Sequence, residues 1–360
     1  MQCVTPMFRR YEIGNYKNGH VVSRKEVMQG LLDFSPNYIS YCLEKMNHIN
    51  SKYRYETIPC GHCWACNLNY SAQWATRLTY ECQKYEHNYF VTLTFNDNWL
   101  PIAEKIKIGE TDYKQSDYPT GSEEYKKWNE GTLWEPYMHK FLHDLRQYLQ
   151  RKKNHLGLKY YYCGEYGETT HRPHFHIILM NCPLNIDEFD DWFIDERKKF
   201  HWKTNELQQF WRYGMIDVAE CEWSCCAYVA RYCMKKLHTK NNYEYAEEGK
   251  LPEFVRMSRN LGRDYYEKNK FKIYQYDEII MRTVQGNIGA FKPPKAWDKL
   301  FQKEHPEQWE EIKKSRQKAA ERSRKLTKQL SDYTDYQKTQ MNYEKIVTKG
   351  KMLPRVGEWN

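Results

Sequence analysis

Arg172-Pro173-His174-Phe175-His176-Ile177-Ile178-Leu179-Met180 is the stretch on which the fold of this chain turns. Apart from its two histidines the run from His174 is apolar, and it reads as a strand. Side chains alternate faces along a strand, which sends His174 and His176 to one side and Phe175 to the other. Two imidazoles on one face, about 7 Å apart along the backbone, can close on one divalent ion. Taken alone, a His-x-His pair is more often exposed or satisfied in a core. The flanks sharpen it. Arg172-Pro173 starts the strand abruptly beside a cation. Lys159 to Glu165 reads as a strand and Gly167 to Pro173 as a turn, which predicts a hairpin. Pairing across that turn carries Glu165 to the face of both histidines and adds the carboxylate that a hard cation prefers. Glu168 competes for this role from within the turn. Two His and one Glu leave coordination positions open, as a catalytic metal needs.

Outward from the hairpin, Asn67 to Tyr85 has helical spacing through Leu68, Ala72, Ala75, Leu78 and Cys82, and Tyr89 to Phe95 is a β-branched and aromatic strand. Ile102 to Gly131 is polar and turn-rich, Tyr137 to Lys152 returns to helical spacing, Leu184 to Phe210 is helical in parts, and Met215 to Cys221 is a strand. Met1 to Tyr55 reads as irregular, with one short helix around Tyr38 to Met46. The succession of strands and helices predicts an α+β fold on an antiparallel sheet rather than a doubly wound parallel one. Lys240 to Pro294 is mixed; its Arg256, Arg259 and Arg263 could line a phosphate-contacting surface or simply a solvated face. Beyond Pro293-Pro294 the composition turns to Lys, Glu, Arg and Gln, giving a charged helix or tail over Glu310 to Gln329. The division expected is 1–66 as an N-terminal extension with a Cys cluster, 67–240 as the core, 241–295 as a core-associated basic segment, and 296–360 as a charged helical tail.

Ser224 to Leu237 reads as a helix carrying Tyr228, Tyr232 and Lys235. Tyrosines at i and i+4 share a face, with Lys235 a further turn along it. In isolation such a pair usually packs. Behind a metal-binding pair it points to phosphodiester chemistry through a covalent tyrosine. A phenol with a pKa of about 10 needs a nearby cation to act as a nucleophile near neutral pH, and Lys235 is placed for that or for the leaving oxygen. Cys60, Cys63 and Cys66, with His62 between them, have the spacing of three thiolates around zinc. A fourth ligand could be His62 or a distant Cys82; an iron–sulfur cluster or plain reduced thiols are the alternatives.

Bulk properties agree with a polyanionic partner. Across 360 residues the formal net charge is +9, and 31 Tyr and 12 Trp offer faces on which unpaired bases can stack. No early segment resembles a signal peptide, no stretch is apolar enough to span a bilayer, and mean hydropathy is −0.96. The 12 Cys are therefore expected reduced in a cytosol. The chain has no Gly-x-x-x-x-Gly-Lys-Ser/Thr loop, so strand separation falls to another protein.

Several motifs, in this order, resemble the replication initiation proteins of the microviruses, small phages with circular single-stranded DNA, and in particular those of the gokushovirus-like group. They are Pro59-Cys60-Gly61-His62-Cys63 with Cys66-Asn67-Leu68-Asn69, Val91-Thr92-Leu93-Thr94-Phe95, Gly164-Glu165-Tyr166-Gly167-Glu168 with Arg172 to His176, Tyr228 to Lys236, and Phe254 to Asp264. The resemblance covers about Pro59 to Pro294. It implies an HUH endonuclease core, a five-stranded antiparallel sheet with flanking helices, and a rolling-circle nickase and ligase that joins itself to the 5′ phosphate at the origin. By position, His174, His176 and Glu165 match the metal ligands for Mg²⁺ or Mn²⁺, Tyr228 and Tyr232 the paired nucleophiles, and Lys235 the lysine that follows. Arg172, Arg231 and Lys236 are the basic residues expected to contact DNA. The family often has Arg after the cysteine cluster, where this chain has Asn67. The implied partners are the phage origin and host replication proteins including a helicase, in the cytoplasm of the bacterial host. Competing readings are a plasmid-type HUH replication protein or transposase, a DNA-binding protein without catalysis, and a metal-dependent oxygenase. The last wants a third strand histidine that the chain does not supply.

Overall fold

A computed structural model describes residues 7–12, 15–22, 53–59, 61, 64–101, 131–167, 170–185, 189–194, 200–221, 225–226, 228–230, 250–282 and 288–329. The chain divides into two units, one from residues 1–69 and 307–354, the other from 70–306 and 355–360. In the first, β1 (Met7–Glu12) pairs antiparallel with both β2 (Asn15–Val22) and β3 (Tyr53–Ile58). This corrects the expectation of an irregular stretch over Met1 to Tyr55. Met7-Phe8-Arg9-Arg10-Tyr11-Glu12 shows no clean alternation, so backbone pairing rather than a one-sided apolar pattern defines the strand. The helix expected around Tyr38 lies outside the described residues.

α1 (Trp64–Cys82) begins in the first unit and continues through the second. There it is followed by β4 (Asn88–Thr94), α2 (Glu135–Lys153), β5 (Lys159–Tyr166), β6 (Pro173–Met180), β7 (Phe189–Ile194), β8 (Phe200–Thr204), the one-turn α3 (Asn205–Gln208) and β9 (Ile216–Glu220). After these come β10 (Phe254–Met257), α4 (Arg263–Tyr276), the hairpin of β11 (Ile279–Arg282) and β12 (Ile288–Phe291), and α5 (Lys295–Glu304). The last described element, α6 (Pro306–Gln329), lies almost wholly in the first unit.

Seven strands form the main sheet, in the order β10-β5-β6-β4-β9-β8-β7, and every pairing is antiparallel. The α+β class therefore holds, but the expected five strands are seven. The four strands marked by sequence pattern sit at the centre. β10 adds an edge beside β5, and residues 184–210, expected to be helical in parts, supply the β7–β8 hairpin instead. Aromatic residues favour extended pairing over a helix there: Phe193 stacks on His201 at 4.9 Å, and Phe200 on Trp202 at 6.2 Å.

The sheet separates two layers. One face is apolar: Phe175, Ile177 and Leu179 of β6, Val91 and Leu93 of β4, and Ile216 and Val218 of β9 pack with α2. α2 buries Tyr137, Met138, Phe141, Leu142, Leu145 and Leu149, a stripe at the three- and four-residue spacing that makes one face. Glu135 and Pro136 suit its first turn and Arg151, Lys152 and Lys153 its last, while Asn154 closes it in the left-handed conformation at φ 46°. Fully burying such Leu, Ile or Phe side chains contributes roughly 1.5–3 kcal/mol each. The other face carries Phe90, Tyr161, Cys163, Ile178, Met180 and Ala219 under Trp74, Leu78 and Cys82 of α1.

α1 is backed by α4 and α5: Tyr80 stacks on Tyr265 at 3.6 Å, and Tyr265 on Trp297 at 5.8 Å. Gly262 opens α4 at φ +73°, where a Cβ would lie 2.9 Å from the Arg77 carbonyl oxygen, so only glycine fits without displacement. Among the described residues no helix is long and apolar enough to cross a membrane.

Candidate active site

The alternation of β6 does what its sequence demands. Phe175 enters the apolar face, and His174 and His176 stand on the other. The β5–β6 register sets Glu165 opposite His174 and Cys163 opposite His176, while β4 sets Thr94 and Thr92 against the same two histidines on the far side. Glu165, His174 and His176 converge: their ligating atoms lie within 4.8 Å of one another. One oxygen, Glu165 Oε1, stands 2.8 Å from His174 Nε2 and 2.8 Å from His176 Nε2. The rest of the hairpin turn is held by a hydrogen bond from the Gly167 N–H to the Arg172 carbonyl.

The remaining ring nitrogens are also engaged. His174 Nδ1 lies 3.2 Å from the Arg172 carbonyl oxygen, and His176 Nδ1 lies 3.0 Å from Thr92 Oγ1. A carbonyl oxygen can only accept, so His174 donates from Nδ1 and a neutral ring keeps its lone pair on Nε2, aimed at an ionised carboxylate. Two electron-rich atoms at 2.8 Å need a cation or an extra proton between them. Glu165 is almost fully buried, and its second oxygen, Oε2, has no hydrogen-bond partner among the described residues. Burial raises the Glu165 carboxyl, but the two histidines outweigh it and hold the group down to about 2. Burial lowers the pKa of His176 against the opposing pull of Glu165. An ionised carboxylate beside a neutral imidazole is the protonation state that metal ligation requires. The donor set of two nitrogens and a carboxylate fits a divalent cation.

Tyr228 faces this cluster. Residues 225–226 and 228–230 are helical, and the Tyr228 hydroxyl lies 3.5 Å from His176 Nε2. The ring meets His176 edge-on at 5.4 Å and Phe90 edge-on at 6.1 Å, and it is 2% exposed. Phe90 in turn stacks on His176 at 5.4 Å, which fixes the plane of that imidazole.

Beside the cluster lie three groups that the sequence reading did not single out. Thr92 pairs with His176 on one side and with Asp217 of β9 on the other, and Asp217 Oδ2 lies 2.8 Å from His201 Nδ1. A polar row thus crosses β5, β6, β4, β9 and β8. Its signals were a threonine at the alternate positions of Tyr89 to Phe95, and one acid inside the apolar run Ile216 to Ala219. The end of β4 is clamped by the segment before β9. Trp211 Nε1 donates to the Thr94 carbonyl at 2.8 Å, and Gly214 packs so closely that a Cβ would fall 2.0 Å from that same oxygen.

Arg172 is held against the end of β4, with Nη1 2.6 Å from Asp97 Oδ1 and Nη2 donating to the Phe95 carbonyl at 3.0 Å. Arg256 pairs with Glu135 at 2.7 Å and Arg263 with Glu267 at 3.3 Å. Cys66 is buried in the first turn of α1. Cys60, Cys63, Glu168, Arg231, Tyr232, Lys235 and Lys236 lie outside the described residues.

Comparison with known proteins draws on most of the chain. Residues 88–237, which hold the whole histidine and tyrosine constellation, match the family of the replication-associated protein ORF2. The replication-associated protein ORF2 of Spiroplasma virus 4 is 31% identical over 346 residues, covering 93% of this chain and 92% of that protein. The chain belongs to the replication-associated proteins of the microviruses. The replication-associated protein VP4 of Bdellovibrio phage phiMH2K is 25% identical over 286 residues, 77% of this chain and 79% of its own. Replication-associated protein ORF4 of Chlamydia phage 1 is 24% identical over 239 residues, 65% of this chain and 50% of its own. No solved structure matches the chain. The family's matched segment begins with β4 and ends in the stretch that carries Lys235, so it takes in the row from Glu165 to Asp217.

Proposed function

We propose that this chain initiates rolling-circle replication of a single-stranded DNA phage by cutting and rejoining one DNA strand through a covalent tyrosine. The observation that carries the reading is the convergence of His174 Nε2, His176 Nε2 and Glu165 Oε1, with the Tyr228 hydroxyl 3.5 Å from the same His176 nitrogen. Glu165, His174 and His176 would hold Mg²⁺ or Mn²⁺, which supplies charge withdrawal from a non-bridging oxygen of the scissile phosphate. Thr92 and the Arg172 carbonyl orient the two imidazoles toward that point. The oxygen of Tyr228 or Tyr232 attacks phosphorus, the P–O3′ bond breaks, and the departing 3′ oxygen takes up a proton. The phosphotyrosine keeps the energy of the broken bond, so a 3′ hydroxyl can later reverse the step without ATP. Lys235 would favour the phenolate or neutralise the departing oxygen, and Arg172, Arg231 and Lys236 would contact the backbone of the DNA. A host helicase would open the circular template in the host cytoplasm, and Cys60, Cys63 and Cys66 remain candidates for a structural zinc.

The burial of Tyr228 favours a second reading, in which its ring only packs and the chain binds DNA without cutting it. The deciding experiment mixes the purified chain and Mn²⁺ with labelled single-stranded DNA tiled across the cognate phage genome. A protein–DNA adduct that survives boiling in detergent, needs His174, and disappears only in the Tyr228→Phe, Tyr232→Phe double variant supports paired nucleophiles. Binding without an adduct under any metal supports the second reading.

A further inference from the structure

A second cluster lies on the same face of the sheet, some way along from the histidines, and the proposed chemistry does not use it. Cys82 ends α1, Cys221 follows β9, and Cys226 lies in the helical segment two residues before Tyr228. Cys82 Sγ is 3.9 Å from Cys221 Sγ, and Cys221 Sγ is 3.9 Å from Cys226 Sγ. All three sulfurs lie within 4.8 Å of one another. Three ligands held tetrahedrally around zinc at about 2.3 Å stand roughly 3.8 Å apart, and these sulfurs are spaced accordingly. A disulfide would need about 2.05 Å and would use only two of them. Cys225, next along the chain, is turned away, its Sγ 3.5 Å from the Glu220 carbonyl oxygen.

We propose that Cys82, Cys221 and Cys226 bind a thiophilic cation, zinc above all, at a structural site that ties the tyrosine-bearing segment to α1 and to the end of β9. Sulfur donors select a soft or borderline ion, which separates this site from the nitrogen-and-oxygen set at Glu165. Cys221 is the partly exposed member, so the fourth position of the tetrahedron is open to water. Hydrogen bonds from Cys221 and Cys226 favour the thiolate of Cys82, which gives the site one charged ligand before any metal arrives. With an ion bound, three elements far apart in sequence share one anchor. The distance from Tyr228 to His176 is then set partly by the cation.

The test uses the full chain carrying Cys60→Ser and Cys63→Ser, which removes the other cysteine cluster from the count. Metal is stripped under reducing conditions and one equivalent of Co²⁺ is added. A sulfur-to-cobalt charge-transfer band is expected, and Cys82→Ser or Cys221→Ser should weaken Co²⁺ binding about tenfold or more. Absence of the band from the Cys60→Ser, Cys63→Ser chain, or binding unchanged in Cys221→Ser, overturns the proposal. X-ray absorption of the zinc-loaded Cys60→Ser, Cys63→Ser chain needs no change to the cluster itself. Three sulfurs at about 2.3 Å support the site, and a shell of nitrogen and oxygen alone refutes it. Adding His176→Ala to that chain leaves the band in place, so loss of strand cutting and loss of this site are read separately.

Discussion

Glu165 and Tyr166 are neighbours on one strand, yet they face opposite sides of the sheet and live under different rules. The Tyr166 hydroxyl donates to the Leu251 carbonyl at 2.7 Å and accepts from the Leu133 N–H at 3.1 Å, with Thr132 Oγ1 at 3.2 Å. Glu165 has one oxygen shared by two histidines and another that none of the described residues meets. Across the sheet the same contrast holds in β6, where Phe175, Ile177 and Leu179 are wholly buried in a continuous core. One face is complete within the protein. The other is arranged for something the protein does not supply, and the first face gives the second its rigidity.

The comparison can be attacked from either side. The largest effect is expected on the polar face: His176→Ala should lower covalent adduct formation on the order of 10³-fold. Its thermal midpoint should stay close to wild type, and a collapse in circular dichroism would show instead that the histidine is structural. On the apolar face, Phe175→Ala should cost about 3–5 kcal/mol in urea unfolding while leaving the metal-binding groups in place. Loss of activity at temperatures where that variant is still folded would mean that the two faces are not separable.

Acid should expose the carboxylate. The Glu165 carboxyl falls from 4.5 to about 2 on folding, so its contribution in metal-free protein is complete above about pH 4.5 and lost as pH falls toward 2. That window is worth roughly 3 kcal/mol. Urea melts at pH 5 and pH 2.5 should show a smaller drop for Glu165→Gln than for wild type, and equal drops would place the acid sensitivity elsewhere. The smallest change concerns orientation. Thr92→Val removes the hydroxyl beside His176 Nδ1 and should weaken Mn²⁺ binding by calorimetry about 10- to 100-fold. An unchanged affinity would leave Phe90 alone as the group that fixes the ring.

Much of this was legible where the local pattern and the tertiary structure agree. Tyr89 to Phe95, Lys159 to Glu165, His174 to Met180 and Met215 to Cys221 alternate or run apolar because both sides of the sheet are covered, and each is a strand. The hairpin register then carried Glu165 to His174 without further information. The outer strands were not legible, for the opposite reason. β1 mixes arginines with aromatics, and β7 and β8 pair at a sheet edge, where no two-sided burial imposes a period. Thr92 and Asp217 become part of the site only through the pairing of β4 with its two neighbours. The meeting of Cys82 with Cys221 spans 139 residues, and no spacing rule reaches that far.

The separations along the chain also order how the site is assembled. Glu165 and His174 are 9 residues apart, whereas Thr92 meets His176 across 84 and Tyr228 meets it across 52. Closing the longest of these loops costs about 2 kcal/mol more in chain entropy than closing the shortest. The acid and its histidine therefore form a local nucleus that the hairpin can build by itself, and the orienting threonine and the tyrosine arrive only with the long closures. A chain caught midway would already hold two of its three ligating side chains in register while lacking the groups that direct them, so capture of a metal can precede competence to use it.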